Sequence, residues 1–199
     1  MLSSCGGQKS ANFRFYMSTP IEVRSLERLP KGGCMIIPGR LDAAQANELS
    51  ATLSDRKITW LVEETTTLPE ELQSYLQLSG HSGAAFSKLD ESLPDLGRNL
   101  EPKIEGNGIL IFVPGVTNCR PGAPCRIPSD VLRALCALGL PIAPLEVSVP
   151  EETMLSVENP TKLPAAILTF GKTIPKGQAT IAWYREAMLF CAEESFSSR

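Results

Sequence analysis

The chain has 199 residues, of which 43% are apolar and 21% are charged, and its formal net charge is −3. This length is enough for one hydrophobic core, or for a core with a small appendage. The basic residues are scattered along the chain, which argues against nucleic acid as the main partner, and no run of about 18 apolar residues indicates a transmembrane helix.

Residues 1–20 are polar and contain glycine and serine, so we expect a loosely ordered N-terminal segment there and one α/β domain over residues 21–199. Continuous short apolar runs are typical of buried strands, and they occur at 34–37, 58–62, 108–113, 142–149 and 165–170. Helical patterns lie between or after them, at 43–53, from 67 to just before Gly80, at 131–138 and at 179–196. This alternation predicts an α/β fold with a mixed, largely parallel central sheet flanked by helices.

Local signals mark where the predicted helices begin. Asp42 precedes the first helix and Gln45 follows three residues later, which is the spacing of a capping box. Ser129 and Asp130 are expected to cap the helix over 131–138. The closing helix over 179–196 is expected to be amphipathic.

The cysteine and histidine content argues against a metal site. Six cysteines hold no CxxC pair and the lone His81 completes no zinc-ligand set, so we expect neither a metal nor a cofactor.

No signal-peptide pattern precedes Cys5, so the cysteines are expected to be reduced thiols of a cytoplasmic protein. Cys34 is expected to be a core residue rather than a nucleophile. Cys119 and Cys125 flank a Pro/Gly loop and would pair only if oxidised.

The segment Leu29-Pro30-Lys31-Gly32-Gly33, the apolar run 34–37 and the following Leu41-Asp42 resemble the opening of a glycerolipid acyltransferase domain of the lysophosphatidic-acid-acyltransferase-like family. In that family, P-K-G-G and a hydrophobic strand run into N-H-x-x-x-x-D. Further blocks similar to those of the family follow in the same order, at 58–64, 83–88, 109–117, 140–145 and 170–175. The resemblance therefore covers about residues 21–195 and implies the fold of that family.

The departures from the family pattern fall on its chemistry. The resemblance implies a histidine that takes a proton from a hydroxyl, an aspartate that orients it, and attack of the hydroxyl on an acyl thioester. Here the fifth residue before Asp42 is Ile37. Gly39-Arg40 resemble what remains of the Asn-His turn, with the turn about two residues shorter. Arg40 stays protonated and cannot replace a base. Gly115 stands in place of the glutamate of the F-P-E-G-T block.

The resemblance leaves one candidate catalytic residue and four candidate substrate-binding residues. Asp42 is the remnant of the H-x-x-x-x-D motif, or else only an N-cap worth about 1 kcal/mol to its helix. Arg40, Lys88 and Arg120 could form a rim for a phosphate group, or else they are ordinary solvated charges. Lys88 stands where the family has an arginine. It keeps the positive charge, but it cannot donate the bidentate pair of hydrogen bonds that a guanidinium gives to a phosphate. Thr117 matches the family motif, or simply begins a turn.

Three hypotheses about function follow from these residues. In the first, the chain is an acyltransferase-like domain that has lost catalysis and binds a lipid or acyl chain, or serves as a structural or regulatory partner. In the second, it transfers acyl groups by an altered route in which a bound phosphate, held by Lys88 and Arg120, assists deprotonation. In the third, it is an α/β protein with no connection to lipids.

The ligands that the resemblance implies are an acyl thioester, carried by coenzyme A or an acyl carrier protein, and a lysophospholipid or glycerol phosphate. Contact with a membrane surface is a separate question. The apolar and slightly basic segment 12–17 is short, so at most it touches the interface of a bilayer from the cytoplasmic side.

Overall fold

One sheet organises the part of the chain that the structure describes. The computed structural model describes residues 20–39, 41–63, 68, 70–78, 82–86, 106–113, 127–149 and 166–197. Within them the strands are β1 (Ile21–Arg24), β2 (Cys34–Pro38), β3 (Ile58–Glu63), β4 (Ser82–Phe86), β5 (Ile109–Val113), β6 (Ile142–Ser148) and β7 (Ala166–Phe170). The helices are α1 (Ala43–Thr52), α2 (Glu70–Leu78), α3 (Ser129–Ala137) and α4 (Ile181–Ser197), and a short 3-10 turn spans Leu26–Arg28.

The seven strands are ordered β1-β7-β6-β2-β5-β3-β4. The five strands from β6 to β4 are parallel to one another. β7 is antiparallel to β6, and β1 is parallel to β7. The predicted α/β fold with a mixed, largely parallel sheet is therefore confirmed.

β2 lies at the centre of the sheet, paired in parallel with β5 on one side and with β6 on the other. All five of its residues are buried. Cys34 and Ile36 pack into the core on the side of α1 and α2, whereas Met35 and Ile37 pack into the core on the side of α3 and α4. A strand covered on both faces has no polar positions, and this is why its sequence is a continuous apolar run.

The prediction for Cys34 is confirmed. Its side chain is fully buried, and burial raises the pKa of the thiol to about 11, against the opposing effect of the nearby Arg56. A thiol with this pKa is protonated at neutral pH and is therefore a poor nucleophile.

Three sequence expectations differ from the structure. β4 was not expected, because its short sequence Ser-Gly-Ala-Ala-Phe carries little strand signal. α3 begins at Ser129 after an N-cap at Pro128, without a side-chain cap, so Ser129 and Asp130 lie in its first turn instead of preceding it. α4 is not amphipathic in the expected way, because large apolar side chains lie on its exposed side as well as its buried side.

Several predictions concern residues that the structure does not describe. Except for Pro20, the N-terminal segment over 1–20 lies outside the described residues, as do His81, Cys119 and Cys125. Within the described residues, none of the helices has both the length and the apolar character needed to cross a bilayer.

Arg56 connects the loops that precede the two central strands. Its guanidinium donates hydrogen bonds from Nε to the carbonyl oxygen of Asn107 at 2.7 Å, from Nη1 to that of Pro30 at 3.0 Å and from Nη2 to that of Gly32 at 2.5 Å. Pro30 and Gly32 lead into β2, and Asn107 leads into β5. One side chain therefore holds the amino ends of both strands in register.

Replacing Arg56 with methionine should lower the free energy of unfolding by about 2 kcal/mol, because the carbonyls lose a charged donor while the packing of the aliphatic stem is kept. Urea denaturation followed by circular dichroism measures the change. Arg133→Met, at an exposed site on α3, is the matched control and should change stability by less than about 0.5 kcal/mol. Equal effects of the two substitutions would contradict the role assigned to Arg56.

Candidate functional site

Five parallel strands end at the same edge of the sheet, which we call the carboxyl edge. β2 and β5 are neighbours there, whereas β4 lies three strand positions from β2, about 14 Å at the usual strand spacing. In open α/β sheets ligands bind beyond the carboxyl ends of the strands. The topology alone therefore predicts a ligand-binding site at the carboxyl edge.

The predicted substrate-binding residues lie outside the described part of the chain; they are Arg40, Lys88, Thr117 and Arg120. Each of them follows the end of a parallel strand in the sequence. Arg40 comes two residues after Pro38, Lys88 two residues after Phe86, and Thr117 four residues after Val113. Their roles stay predictions.

The turn after β2 is anchored on both sides of Arg40. The backbone N–H of Gly39 donates a hydrogen bond to the carbonyl oxygen of Leu145 in β6 at 2.8 Å, and Gly39 is buried. Leu41 is buried in the core beside α1. Ile37, at the position five before Asp42, is 0% exposed. The residues on both sides of Arg40 therefore lie in the core. The side chain at the position five before Asp42, that of Ile37, is buried and aliphatic.

Asp42 forms the capping box that the sequence predicts. Its Oδ1 accepts a hydrogen bond from the backbone N–H of Gln45 at 2.8 Å, and the Gln45 Oε1 accepts one from the backbone N–H of Asp42 at 2.9 Å. Asp42 is exposed, whereas Gln45 is buried. The contacts of Asp42 in the described residues are therefore those of a helix N-cap.

Replacing Asp42 with alanine should lower the free energy of unfolding by about 1 kcal/mol, because the N-cap acceptor is lost. Asp42→Asn keeps an acceptor and should retain most of the stability. The matched control is Asp55→Ala, an exposed aspartate in the turn after α1. Thermal and urea unfolding measure these differences, and an Asp42→Ala protein as stable as the Asp55→Ala protein would contradict the capping role.

Glu146 is a buried acid near the carboxyl edge that sequence reasoning missed. It is 9% exposed and follows Leu145, which pairs with Pro38 of β2. Leu145 and Val147 pack on the α1 side of the sheet, so the side chain of Glu146 points to the α4 side. There it lies near Tyr184 of α4, whose pKa is raised by burial and by the charge of Glu146. The signal in the sequence was a single acid within the apolar strand 142–147.

Burial raises the pKa of Glu146 from its ordinary value of 4.5 to about 7. Glu146 is therefore protonated in the folded protein at pH values where it is ionised in the unfolded chain. Folding stability should fall as the pH rises from about 4.5 to 7 and level off above 7, with a loss of about 3 kcal/mol. Urea denaturation across this pH range measures the slope.

Glu146→Gln should remove this part of the pH dependence and make the protein more stable than the parent at pH 8. Glu71→Gln, at an exposed site on α2, should leave the slope unchanged. The assignment is contradicted if the free energy of unfolding of the parent is constant or rises between pH 4.5 and 7 and Glu146→Gln does not change it. Ionisation of the buried Glu146 would then not destabilise the fold.

The remaining ionisable groups of the described residues do not form a metal site. No group of three or more histidine, cysteine, aspartate or glutamate side chains among them is arranged to hold a metal ion. The described cysteines Cys34, Cys136 and Cys191 are not joined by a disulfide bond. Burial raises the pKa of Cys136, and Cys191 donates from Sγ to the carbonyl oxygen of Thr169 at 3.0 Å.

Comparisons with known proteins find similarity at the level of structure. No family model matches the sequence, and no curated protein matches it. The crystal structure of the 1-acyl-sn-glycerophosphate (LPA) acyltransferase PlsC from Thermotoga maritima is similar to this structure, with a TM-score of 0.57 and 14% sequence identity. The similarity covers 91% of this chain and 73% of that chain.

At this identity the likeness concerns the fold alone. The chain has an α/β fold like that of a glycerolipid acyltransferase, as the order of its sequence blocks implies. The function remains to be proposed from the residues at the carboxyl edge.

Proposed function

We propose that this protein uses a glycerolipid-acyltransferase-like fold to bind an acyl thioester or a lysophospholipid, and that it does not transfer acyl groups by a histidine–aspartate route. The observation that carries the proposal is the turn between β2 and α1. Ile37, a fully buried residue, stands five residues before Asp42, where the motif of the family would have a general base.

The contacts of Asp42 support the loss of catalysis. An aspartate that orients an imidazole must direct its carboxylate at the imidazole nitrogen. The Asp42 carboxylate instead accepts the backbone N–H of Gln45, and an aliphatic side chain occupies the motif position of its partner. A carboxylate without a base beside it can stabilise a helix, but it cannot deprotonate a hydroxyl group by this mechanism.

Retained ligand binding is the second part of the proposal. Arg40, Thr117 and Arg120 follow two neighbouring strands, β2 and β5, and Lys88 follows β4. Loops after neighbouring parallel strands can reach one ligand, and arginine and lysine suit the phosphate of coenzyme A, of an acyl carrier protein or of a lysophospholipid.

A second candidate function is acyl transfer by an altered route, and Glu146 favours it. Glu146 lies in β6 next to Leu145, whose carbonyl oxygen accepts the Gly39 N–H, and its side chain points to the α4 side of the sheet. Its raised pKa suits a group that accepts a proton near neutral pH. In this case the rate would increase as the pH rises through about 7 and would be lost in Glu146→Gln.

A labelled acyl thioester incubated with the purified full chain and a lysophospholipid distinguishes the two candidates. The proposal predicts no product above background, together with binding of lysophosphatidate below its micelle concentration in isothermal titration calorimetry. Arg120→Glu should weaken this binding about tenfold or more, and Lys57→Glu, at an exposed site before β3, should leave it unchanged.

Product formation that is lost in Asp42→Asn would contradict the proposal, because that variant keeps the N-cap and removes only the charge. Product formation that is lost in Glu146→Gln would favour the altered route. Absence of both turnover and lysophosphatidate binding would contradict the ligand-binding part and leave an α/β protein without a connection to lipids.

A further inference from the structure

β1 lies at one edge of the sheet. Within the described residues it is paired on one side only, in parallel with β7. In a parallel pair the backbone N–H and C=O groups of alternate residues point to opposite sides of the strand. The polar groups of alternate residues in β1 therefore point away from β7, and such groups allow an edge strand to pair with another chain.

The side chains of β1 alternate between the two faces of the sheet. Ile21 and Val23 pack against the core on the side of α1, so Glu22 and Arg24 project from the opposite face. Arg24 donates from Nε to Oε1 of Glu22 at 2.7 Å and from Nη2 to Oε2 at 3.0 Å. An anion and a cation thus lie two residues apart on one face of an edge strand.

The charges of this edge are complementary to those of a second copy of the same edge. A two-fold axis perpendicular to the sheet at Val23 places a second β1 alongside the first in the antiparallel direction. Glu22 of each copy then lies opposite Arg24 of the other. Side chains directly opposite each other in an antiparallel pair have Cβ atoms about 5 Å apart on the same face, which is close enough for ion pairs.

The order of the charges also selects the register. With the two-fold axis at Glu22 instead, the two Glu22 carboxylates lie opposite each other, and with the axis at Arg24 the two guanidinium groups do. Like charges directly opposite each other destabilise a strand pair. The register centred on Val23 avoids this repulsion, and it also brings the two half-buried Val23 side chains together on the α1 side.

We propose that two copies of this chain associate through β1, in an antiparallel strand pair centred on Val23, so that the sheet continues from one copy into the other. The ion pair within each strand becomes part of a network of four charges across the contact. β1 has four residues, so the contact is small and the dissociation constant should be about 10 to 100 μM.

The proposal goes beyond the proposed function, since it concerns how two copies meet and not what each binds. The two-fold axis reverses the direction of the strands, so the carboxyl edges of the two copies point in opposite directions. Failure of association would therefore leave lysophosphatidate binding unchanged, and failure of lysophosphatidate binding would leave association unchanged.

Sedimentation velocity of the full chain from about 1 to 300 μM tests the association. The parent should change from monomer to dimer over this range. Hydrogen exchange at the two ends of the range locates the contact, because backbone amides of β1 that point away from β7 should become more protected in the dimer.

Charge-reversal variants test the register. Glu22→Arg places arginine opposite arginine at both pairs, and Arg24→Glu places glutamate opposite glutamate. Each variant alone should therefore self-associate at least about tenfold more weakly than the parent. An equimolar mixture of the two variants restores opposite charges at both pairs and should form a heterodimer about as strong as the parent dimer.

The mixture separates the contact between copies from the ion pair within one strand. Each single variant loses its own Glu22–Arg24 ion pair, and mixing does not restore it within either chain. Circular dichroism checks that both variants are folded. Glu71→Arg makes the same charge change as Glu22→Arg at an exposed site on α2, so it is the matched control and should associate as the parent does.

The proposal is overturned if the parent stays monomeric over the whole range of concentration. It is also overturned if the parent dimerises while the mixture of Glu22→Arg and Arg24→Glu stays monomeric. A dimer that neither charge reversal weakens and that Phe190→Ser dissociates would likewise overturn it, because Phe190 is an exposed side chain of α4 and the contact would then be made by that helix.

Discussion

The structure depends on the complete burial of β2. This strand is paired on both sides and covered on both faces, by α1 and α2 on one and by α3 and α4 on the other. A polar side chain in this strand would lose its hydration and lower the stability of the fold. Arg56 holds the strand at its amino end, and the Gly39–Leu145 hydrogen bond holds it at its carboxyl end.

This constraint also determines what the neighbouring turn can do. Ile37 belongs to the core on the α3 side, so the position that a catalytic base would occupy is used for packing. Asp42 caps α1 and keeps the helix in its place after the strand. A strand, a short turn and a capped helix make up this part of the architecture, and their stability does not require a histidine. Glu146, in the neighbouring strand β6, is buried in the same sheet, and burial raises its pKa.

The parts of the fold that could be predicted from the sequence are those with strong local signals. β2 and β5 are continuous apolar runs, and the Asp42–Gln45 spacing predicted the capping box that the structure contains. β4 was missed because its small residues carry little strand preference, and its pairing with β3 supplies the missing information. The burial of Glu146 and the exposure of Phe190 could not be predicted, since both depend on how α4 packs against the sheet.

The central claim is that the carboxyl edge binds a lipid ligand in a fold whose catalytic base has been replaced by packing. Backbone amide chemical shifts measured during a titration with lysophosphatidate, with an acyl thioester present, test it most directly. We predict saturable shifts at Gly39 and Asp42 and at the residues that follow β5, with the acyl thioester intact at the end. Shifts confined to other parts of the sheet, or formation of the acylated product, would contradict the claim.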